Sequence, residues 1–236
     1  MDKEEWIAPK EGEEKGHNEI KNVQINKANA LWTLSKTDIS DEEYKDFYQS
    51  IAHDSSDPLL WMHNKTEGSL EYTTLFYIPS KAPMDLYRVD YMSGIKLYIN
   101  RVFITDDEKE LMPTYLRFLR GVIDSADLPL NVSREILQSN KVMSKIKNSS
   151  VKKVLSELAK LSESDSAKYE EFYKEFGNVL KEGLYSDYGN REKILELLKL
   201  NTLKSETPVM FKDFVNGVDQ EKKEIYYISA KMSLNM

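Results

Sequence analysis

The stretch SLEYTTLFYIPS, residues 69–80, decides the fold class. It is rich in β-branched and aromatic residues, it is apolar on both alternating faces, and it stops at Pro79. These features are typical of a strand that is covered on both faces. GIKLYINRVFI (94–104) predicts a second strand, and LRGVIDS (119–125) predicts a third. In the second strand we expect four apolar residues on one face, namely Ile95, Leu97, Ile99 and Phe103.

Helices alternate with these strands. SDEEYKDFYQSI, residues 40–51, begins with a capping box of Ser40 and Glu43, and its apolar residues recur at helical spacing. MPTYLRF (112–118) predicts a short helix, and the pattern after residue 131 is helical, with a break near NSS (148–150) left open. Because strands and helices alternate, we predict an α/β fold with helices packed on a sheet.

Composition excludes several classes of protein. The 236 residues are 40% hydrophobic and 31% charged, which fits an ordinary globular chain, and the net charge of -7 argues against general attraction to nucleic acid or anionic membranes. With no cysteine, disulfides, thiolate catalysis and cysteine zinc sites are excluded. No apolar run approaches the roughly 18 residues that span a bilayer. The acidic N-terminus is unlike a secretory signal, so we expect a cytoplasmic protein and a solvated tail or linker over residues 1–24.

Few residues point to chemistry on their own. The histidines His17, His53 and His63 lack metal-ligand spacing, so we predict no metal site and interpret them as surface or helix-end residues. No glycine-rich phosphate loop and no nucleophile elbow occurs. The lysines of KVMSKIKNSSVKKV (141–154) suit nucleic acid in principle, but the outer face of a helix is the better interpretation in an acidic chain. Arg134, taken alone, is best read as a structural or ion-pair arginine.

Several longer motifs occur together and in order. They are NALWTL, DEEYKDFYQSIAHD, FYIPSKAP, GIKLYINRVFI, LPLNVSREILQ and EIYYISA. With this order and spacing, the chain from about residue 25 to residue 229 resembles the middle domain of the heat-shock-protein-90 chaperones, closest to the bacterial high-temperature form. These chaperones are ATP-driven homodimers with a nucleotide-binding N-terminal domain, a middle domain and a C-terminal dimerisation domain. The resemblance therefore implies a cytoplasmic ATP-dependent chaperone that assists protein folding.

The resemblance also implies a division of the chain. A charged linker would cover residues 1–24, a large α/β/α sandwich residues 25–163, a helical coil residues 164–200, and the start of a smaller α/β/α unit residues 201–236. The final KMSLNM departs from the family pattern. We accordingly expect a fragment of a longer parent: the fragment would hold no cofactor and would not hydrolyse ATP alone, whereas the parent would bind ATP and magnesium and act as an ATPase.

A catalytic arginine follows from the same resemblance. In the family, the arginine of the SRE motif reaches the γ-phosphate of ATP held in the N-terminal domain; by matched position this is Arg134, with Gln138 one helical turn further on. Four neighbours would support the loop by packing or by capping the helix: Leu128, Leu130, Asn131 and Ser133. Phe103 matches a position in an apolar patch that faces the N-terminal domain, although a role in the strand core stays open.

Partners follow from the resemblance as well. The chain would contact the N-terminal and C-terminal domains of its own parent, client proteins and co-chaperones, but neither nucleic acid nor membrane. Trp32 is a modest candidate for client contact, with the core as the better interpretation of its apolar surroundings. The competing functional interpretation is a non-catalytic interaction module in which Arg134 is purely structural.

Overall fold

A five-stranded sheet forms the centre of the computed structural model. The structure describes the following residues: 30–106, 111–128, 140–203, 205–218 and 226–227, with the backbone of 2–7 and 17–22. The strands of the central sheet are β3 (Pro58–Thr66), β4 (Tyr72–Pro79), β5 (Ile95–Ile99), β6 (Val102–Thr105) and β7 (Arg120–Ser125). Their spatial order is β3-β4-β7-β5-β6. All neighbouring pairs are antiparallel except β5 and β7, which run parallel.

Helices cover both faces of this sheet. They are α1 (Asp41–Ala52), α2 (Lys141–Ser164), α3 (Ser166–Lys181), α4 (Gly183–Ser186), α5 (Arg191–Glu196) and α6 (Phe211–Asn216). The described residues also form four 3₁₀ turns: Leu31–Thr33, Lys36–Asp38, Thr114–Leu116 and Tyr188–Asn190. The predicted capping box at Ser40 and Glu43 is present at the start of α1. α2 continues without a break through residues 148–150.

Two apolar layers confirm the α/β sandwich. On one face, α1 and the segment before it pack against Leu75, Tyr77 and Val122 of the sheet. On the other face, the larger cluster joins Phe76 and Ile123 to α2 and α3. Every residue of β4 is buried, as its two apolar faces predicted. Successive residues of β4 serve opposite layers because a strand directs alternate side chains to opposite faces.

The stretch GIKLYINRVFI is a hairpin, so the prediction of one strand was wrong. β5 ends at Ile99, and Asn100 and Arg101 both adopt positive φ angles, 49° and 67°, before the chain returns as β6. Two consecutive left-handed residues give the turn whose twist matches a two-residue hairpin. The first three predicted core residues are buried (Ile95, Leu97 and Ile99). Phe103 lies on the returning strand and packs edge-on against Tyr98 instead.

Strands also occur near both ends of the chain. β1 (Asp2–Ile7) and β2 (His17–Asn22) pair antiparallel within the residues for which the sequence predicted a solvated tail or linker. Backbone pairing needs no apolar periodicity, which is why the pattern gave no sign of it. β8 (Lys199–Thr202) and β9 (Ser205–Met210) form a third sheet. The division into units at residues 163 and 200 stays a prediction.

Candidate functional site

The carboxyl end of β7 leads into the segment that the sequence singled out. Three hydrogen bonds tie residues 125–127 to Glu71: Ser125 Oγ and the Ala126 amide donate to the Glu71 carbonyl at 3.1 and 3.3 Å, and the Glu71 amide donates to an Asp127 carboxylate oxygen at 2.6 Å. Leu128 follows and is buried in the larger core cluster. This placement fixes the start of the segment against the sheet, and the supporting role of Leu128 in the loop stays a prediction.

The other end of the segment is fixed by a helix cap. Asn140 Oδ1 accepts a hydrogen bond of 2.7 Å from the Val142 amide at the start of α2. The remaining predicted site residues lie between these two anchors and outside the described residues: Leu130, Asn131, Ser133, Arg134 and Gln138. Their roles therefore stay predictions. The described anchors are 12 residues apart and both rest on the same packed core.

The hairpin turn between β5 and β6 reaches the same edge of the sheet. Ile99 pairs with Ser125, so the turn begins where β7 ends. The Arg101 amide donates to Asp124 Oδ1 at 3.2 Å, which joins the turn to β7. Phe103 and its neighbour Val102 are each about half exposed. A half-exposed Phe103 fits an apolar surface better than the strand core, and its contact with an N-terminal domain stays a prediction.

Trp32 belongs to the core. Only 6% of its surface is exposed, and its ring packs against Phe47 and Tyr98. Its Nε1–H donates to Asp124 Oδ2 at 2.8 Å. Asp124 thus accepts from both Trp32 and Arg101, one on each carboxylate oxygen. The structure favours the core interpretation, because so little of the ring is accessible to a client protein.

His63 is a buried residue, so its interpretation as a surface or helix-end residue was wrong. Its Nε2 lies 2.9 Å from the Trp32 carbonyl, which can only accept, so Nε2 carries the proton. Nδ1 then accepts from the Tyr44 hydroxyl at 2.8 Å. Burial lowers the pKa of His63, and the nearby positive charge of Lys36 acts in the same direction. A neutral His63 therefore joins β3 to α1 and to the turn that carries Trp32. His53, by contrast, ends α1 as expected.

An exposed apolar loop between β4 and β5 was not found from the sequence. Four of its large apolar side chains face solvent, namely Met84, Tyr87, Val89 and Met92, while Leu86 is buried. The loop is nevertheless ordered by its backbone, because the Met92 amide donates to Asp85 Oδ2 at 3.1 Å and the Leu86 amide donates to the Pro83 carbonyl at 3.0 Å. Apolar residues set between the breakers of PSKAPMDLYRVDYMSG (79–94) were the available signal.

Arg117 attaches this loop to the helical layer. Its Nε–H donates to the Leu86 carbonyl at 2.5 Å, and its two terminal nitrogens bind the carboxylate of Glu182 at 2.5 and 2.9 Å. The guanidinium also lies 5.8 Å from the ring centre of Tyr87 and 5.9 Å from that of Tyr91. A planar fork can make all of these contacts together, whereas an ammonium cannot. The loop is therefore held on a rigid base.

Metal and nucleic-acid chemistry find little support in the described part of the chain. No group of three or more His, Asp or Glu residues there could hold a metal ion. The lysine-rich stretch forms the first half of α2, where Lys141, Lys145 and Lys152 are exposed, while Lys153 pairs with Glu157. This agrees with the outer face of a helix. Among the described helices, none is long and apolar enough to cross a membrane.

Comparison with known proteins decides the family. The model of the family described as Hsp90 protein matches residues 1–235. The chain belongs to the Hsp90 family. The Chaperone protein HtpG of Sulfurimonas denitrificans is 72% identical over 241 residues, covering 100% of this chain and 38% of that protein. The Chaperone protein HtpG of Helicobacter pylori strain HPAG1 is 58% identical over 221 residues, covering 92% of this chain and 35% of that protein. This Hsp90 chain thus spans well under half the length of these relatives.

The fold of this Hsp90 chain has a solved counterpart. The middle domain of a Plasmodium falciparum heat shock protein superposes with a TM-score of 0.77 at 30% identity, covering 86% of this chain and 79% of that one. This agreement confirms the α/β/α architecture and the resemblance on which it was predicted. The Hsp90 family assignment leaves the roles of individual residues open.

Proposed function

We propose that this chain is the middle part of an ATP-dependent chaperone, in which Arg134 reaches the γ-phosphate of ATP bound by an N-terminal domain. The support is the family assignment, two relatives named as chaperones, and the SRE motif in matched position. The described anchors at both ends of residues 129–139 add a physical reason. Leu128, the last described residue before that segment, follows the carboxyl end of β7, which runs parallel to β5, and ligands of α/β sheets bind at such carboxyl ends.

The hydrogen-bond donors of Arg134 and Gln138 suit the γ-phosphate of ATP but not the rest of the nucleotide. A guanidinium presents a planar fork of donors to phosphate oxygens, and Gln138 adds an amide. Neither side chain is a carboxylate of the kind that magnesium prefers, so magnesium and the rest of ATP would be held by the N-terminal domain. ATP supplies the phosphoryl group. Arg134 supplies a permanent charge that arrives only when the domains close, and Gln138 steadies it from the next helical turn.

The test uses a chimera in which this chain replaces the matching segment of the Sulfurimonas HtpG, with which it is 72% identical. Arg134→Ala should lower ATP turnover of the chimera on the order of 10-fold or more and leave nucleotide affinity nearly unchanged, because the contact forms mainly in the closed state. Arg134→Lys should rescue poorly, since it loses the fork. Arg88→Ala, which removes an exposed arginine paired with Asp90, is the matched control. Near-normal turnover in a folded Arg134→Ala chimera would favour the interaction module with a structural arginine.

We further propose that client proteins are contacted through the exposed loop between β4 and β5. The observation that carries this is an ordered loop that exposes four large apolar side chains, with Arg117 holding its base. Such a surface offers apolar area to partly folded chains without the cost of ordering a flexible segment. Trp32, the earlier candidate, is buried and takes no part in this proposal.

Binding of a permanently unfolded, fluorescently labelled polypeptide tests the client surface. Val89→Ser should weaken binding, because the loop loses apolar contact area. Leu203→Ser is the matched control, since Leu203 is 96% exposed but lies in the β8–β9 turn. Equal binding by wild type and Val89→Ser would remove the loop from the proposal. A cytoplasmic homodimer with a C-terminal dimerisation domain and co-chaperones completes the proposed function, with no role for nucleic acid or membranes.

A further inference from the structure

Methionine is the only sulfur-containing residue type in this chain, which has nine methionines and no cysteine. Three methionines of the described residues are in the core, with at most 6% of their surface exposed: Met62, Met112 and Met143. Met84 and Met92 differ sharply, with exposures of 105% and 61%. Both lie in the loop between β4 and β5. Met210 is partly buried, so Met84 and Met92 are the most exposed methionines in the described part of the chain. An oxidant that attacks sulfur should react fastest there.

The loop keeps both thioethers outside for a structural reason. Leu86, between them, is buried, and its carbonyl is held by Arg117. The Met92 amide is tied to Asp85, so the backbone on both sides of Leu86 is fixed. With Leu86 as the inward anchor, these bonds hold the backbone of the loop where the side chains of Met84 and Met92 are exposed. Their exposure is a property of an ordered loop.

We propose that Met84 and Met92 form a reversible oxidation site that regulates the apolar surface of this loop; the proposal rests on the client-binding role given above. At each thioether sulfur, one peroxide molecule transfers one oxygen atom. The sulfur loses two electrons and becomes a sulfoxide, the O–O bond breaks, and water or an alcohol leaves. Two thiols of a reductase system reverse the step by taking up the oxygen as water and forming a disulfide.

The sulfoxide changes what the loop can bind. A thioether is a polarisable apolar group, whereas a sulfoxide carries a strongly polar oxygen that must lose its water before it meets an apolar partner. Two such groups on one short loop interrupt the apolar surface on both sides of Leu86. Oxidation therefore turns a surface for unfolded chains into a polar one, and the core is spared because its methionines are covered.

The first measurement is peptide mass spectrometry of the chain treated with hydrogen peroxide. Met84 and Met92 should form sulfoxide at least about tenfold faster than the three core methionines, because reactivity follows exposure. Circular dichroism should stay unchanged over this period. Equal rates at exposed and buried positions would overturn the proposal.

The second measurement is binding of the labelled unfolded polypeptide before and after peroxide. Wild type should lose affinity on the order of three- to tenfold, and treatment with both methionine sulfoxide reductases, one for each sulfoxide epimer, together with thiol should restore it. Met84→Leu/Met92→Leu, which stays apolar and cannot be oxidised there, should bind as wild type does and ignore peroxide. Met84→Gln/Met92→Gln should bind weakly without any peroxide.

The outcomes distinguish failure of the oxidation proposal from failure of the client-binding proposal on which it rests. If Val89→Ser and the double glutamine variant both bind normally, the loop is not the client surface. If Val89→Ser binds weakly but oxidised wild type binds normally, the client surface stands and the regulatory proposal fails. The regulatory proposal fails equally if the double leucine variant loses affinity in peroxide as wild type does.

Discussion

Replacing Trp32 with phenylalanine should cost the chain a large part of its stability. The substitution removes the 2.8 Å hydrogen bond to the buried Asp124, worth about 1.5–3 kcal/mol because the acceptor is charged. The smaller ring leaves roughly 40 Å³ unfilled, which adds about 1 kcal/mol. The free energy of unfolding should fall by about 2.5–4 kcal/mol, which for a chain of this size lowers Tm by roughly 5–15 °C.

Urea unfolding followed by circular dichroism measures this loss, and a second tryptophan provides the control. Trp61 stacks on Tyr44 but has no hydrogen bond from its ring nitrogen among the described residues, so Trp61→Phe should cost only about 1 kcal/mol. A double-mutant cycle of Trp32→Phe with Asp124→Ala should give a coupling energy of about 1.5 kcal/mol or more. A coupling energy near zero would refute the claim that this pair holds the end of β7.

Three further outcomes are expected. The unfolded chain takes up a proton on His63 near pH 6.5, whereas burial lowers the pKa of His63 in the fold. The free energy of unfolding should therefore be fully retained above about pH 6.5 and should fall below it. Urea titrations at several pH values should show a shallower fall for His63→Gln. Gly121→Ala should lower the free energy of unfolding by about 3 kcal/mol or more. The reason is that φ is 142° at Gly121 and the new Cβ would lie 2.0 Å from the Leu75 carbonyl oxygen. Gly68→Ala, which has open space around it, should lower the free energy of unfolding much less in the same urea assay. Calorimetry of this chain alone with a non-hydrolysable ATP analogue should show no binding tighter than about millimolar, and a micromolar affinity would contradict the proposed division of labour between domains.

Local signals were read correctly from the sequence. The capping box at Ser40 and the two apolar faces of β4 are complete within one segment, so no knowledge of the rest of the chain was needed. The turn at Asn100 and Arg101 was missed because its second residue is not the usual glycine. β3 was missed because PLLWMHNKT mixes apolar and polar residues without clean alternation.

Long-range partners explain the other differences. The burial of His63 depends on Tyr44 and Trp32, which lie 19 and 31 residues away in the chain. The hydrogen bond that fixes the chain just before residues 129–139 joins Asp127 to Glu71, which lies 56 residues earlier. Neither contact leaves a pattern within one segment. The role predicted for Arg134 came from the family resemblance alone, and only the structure could show what holds the described residues on either side of 129–139.

The central position of β7 has a consequence for the order of folding. β3 pairs with β4 and β5 pairs with β6 as neighbours in the chain, so both hairpins can form early. β7 is synthesised last of the five and lies between them. Until residues 120–125 arrive, the inner edges of β4 and β5 have no partner and can pair with another chain. A newly made chain is therefore most vulnerable to aggregation in the interval between synthesis of β6 and of β7, and substitutions that weaken β7 should lengthen that interval more than substitutions in either hairpin.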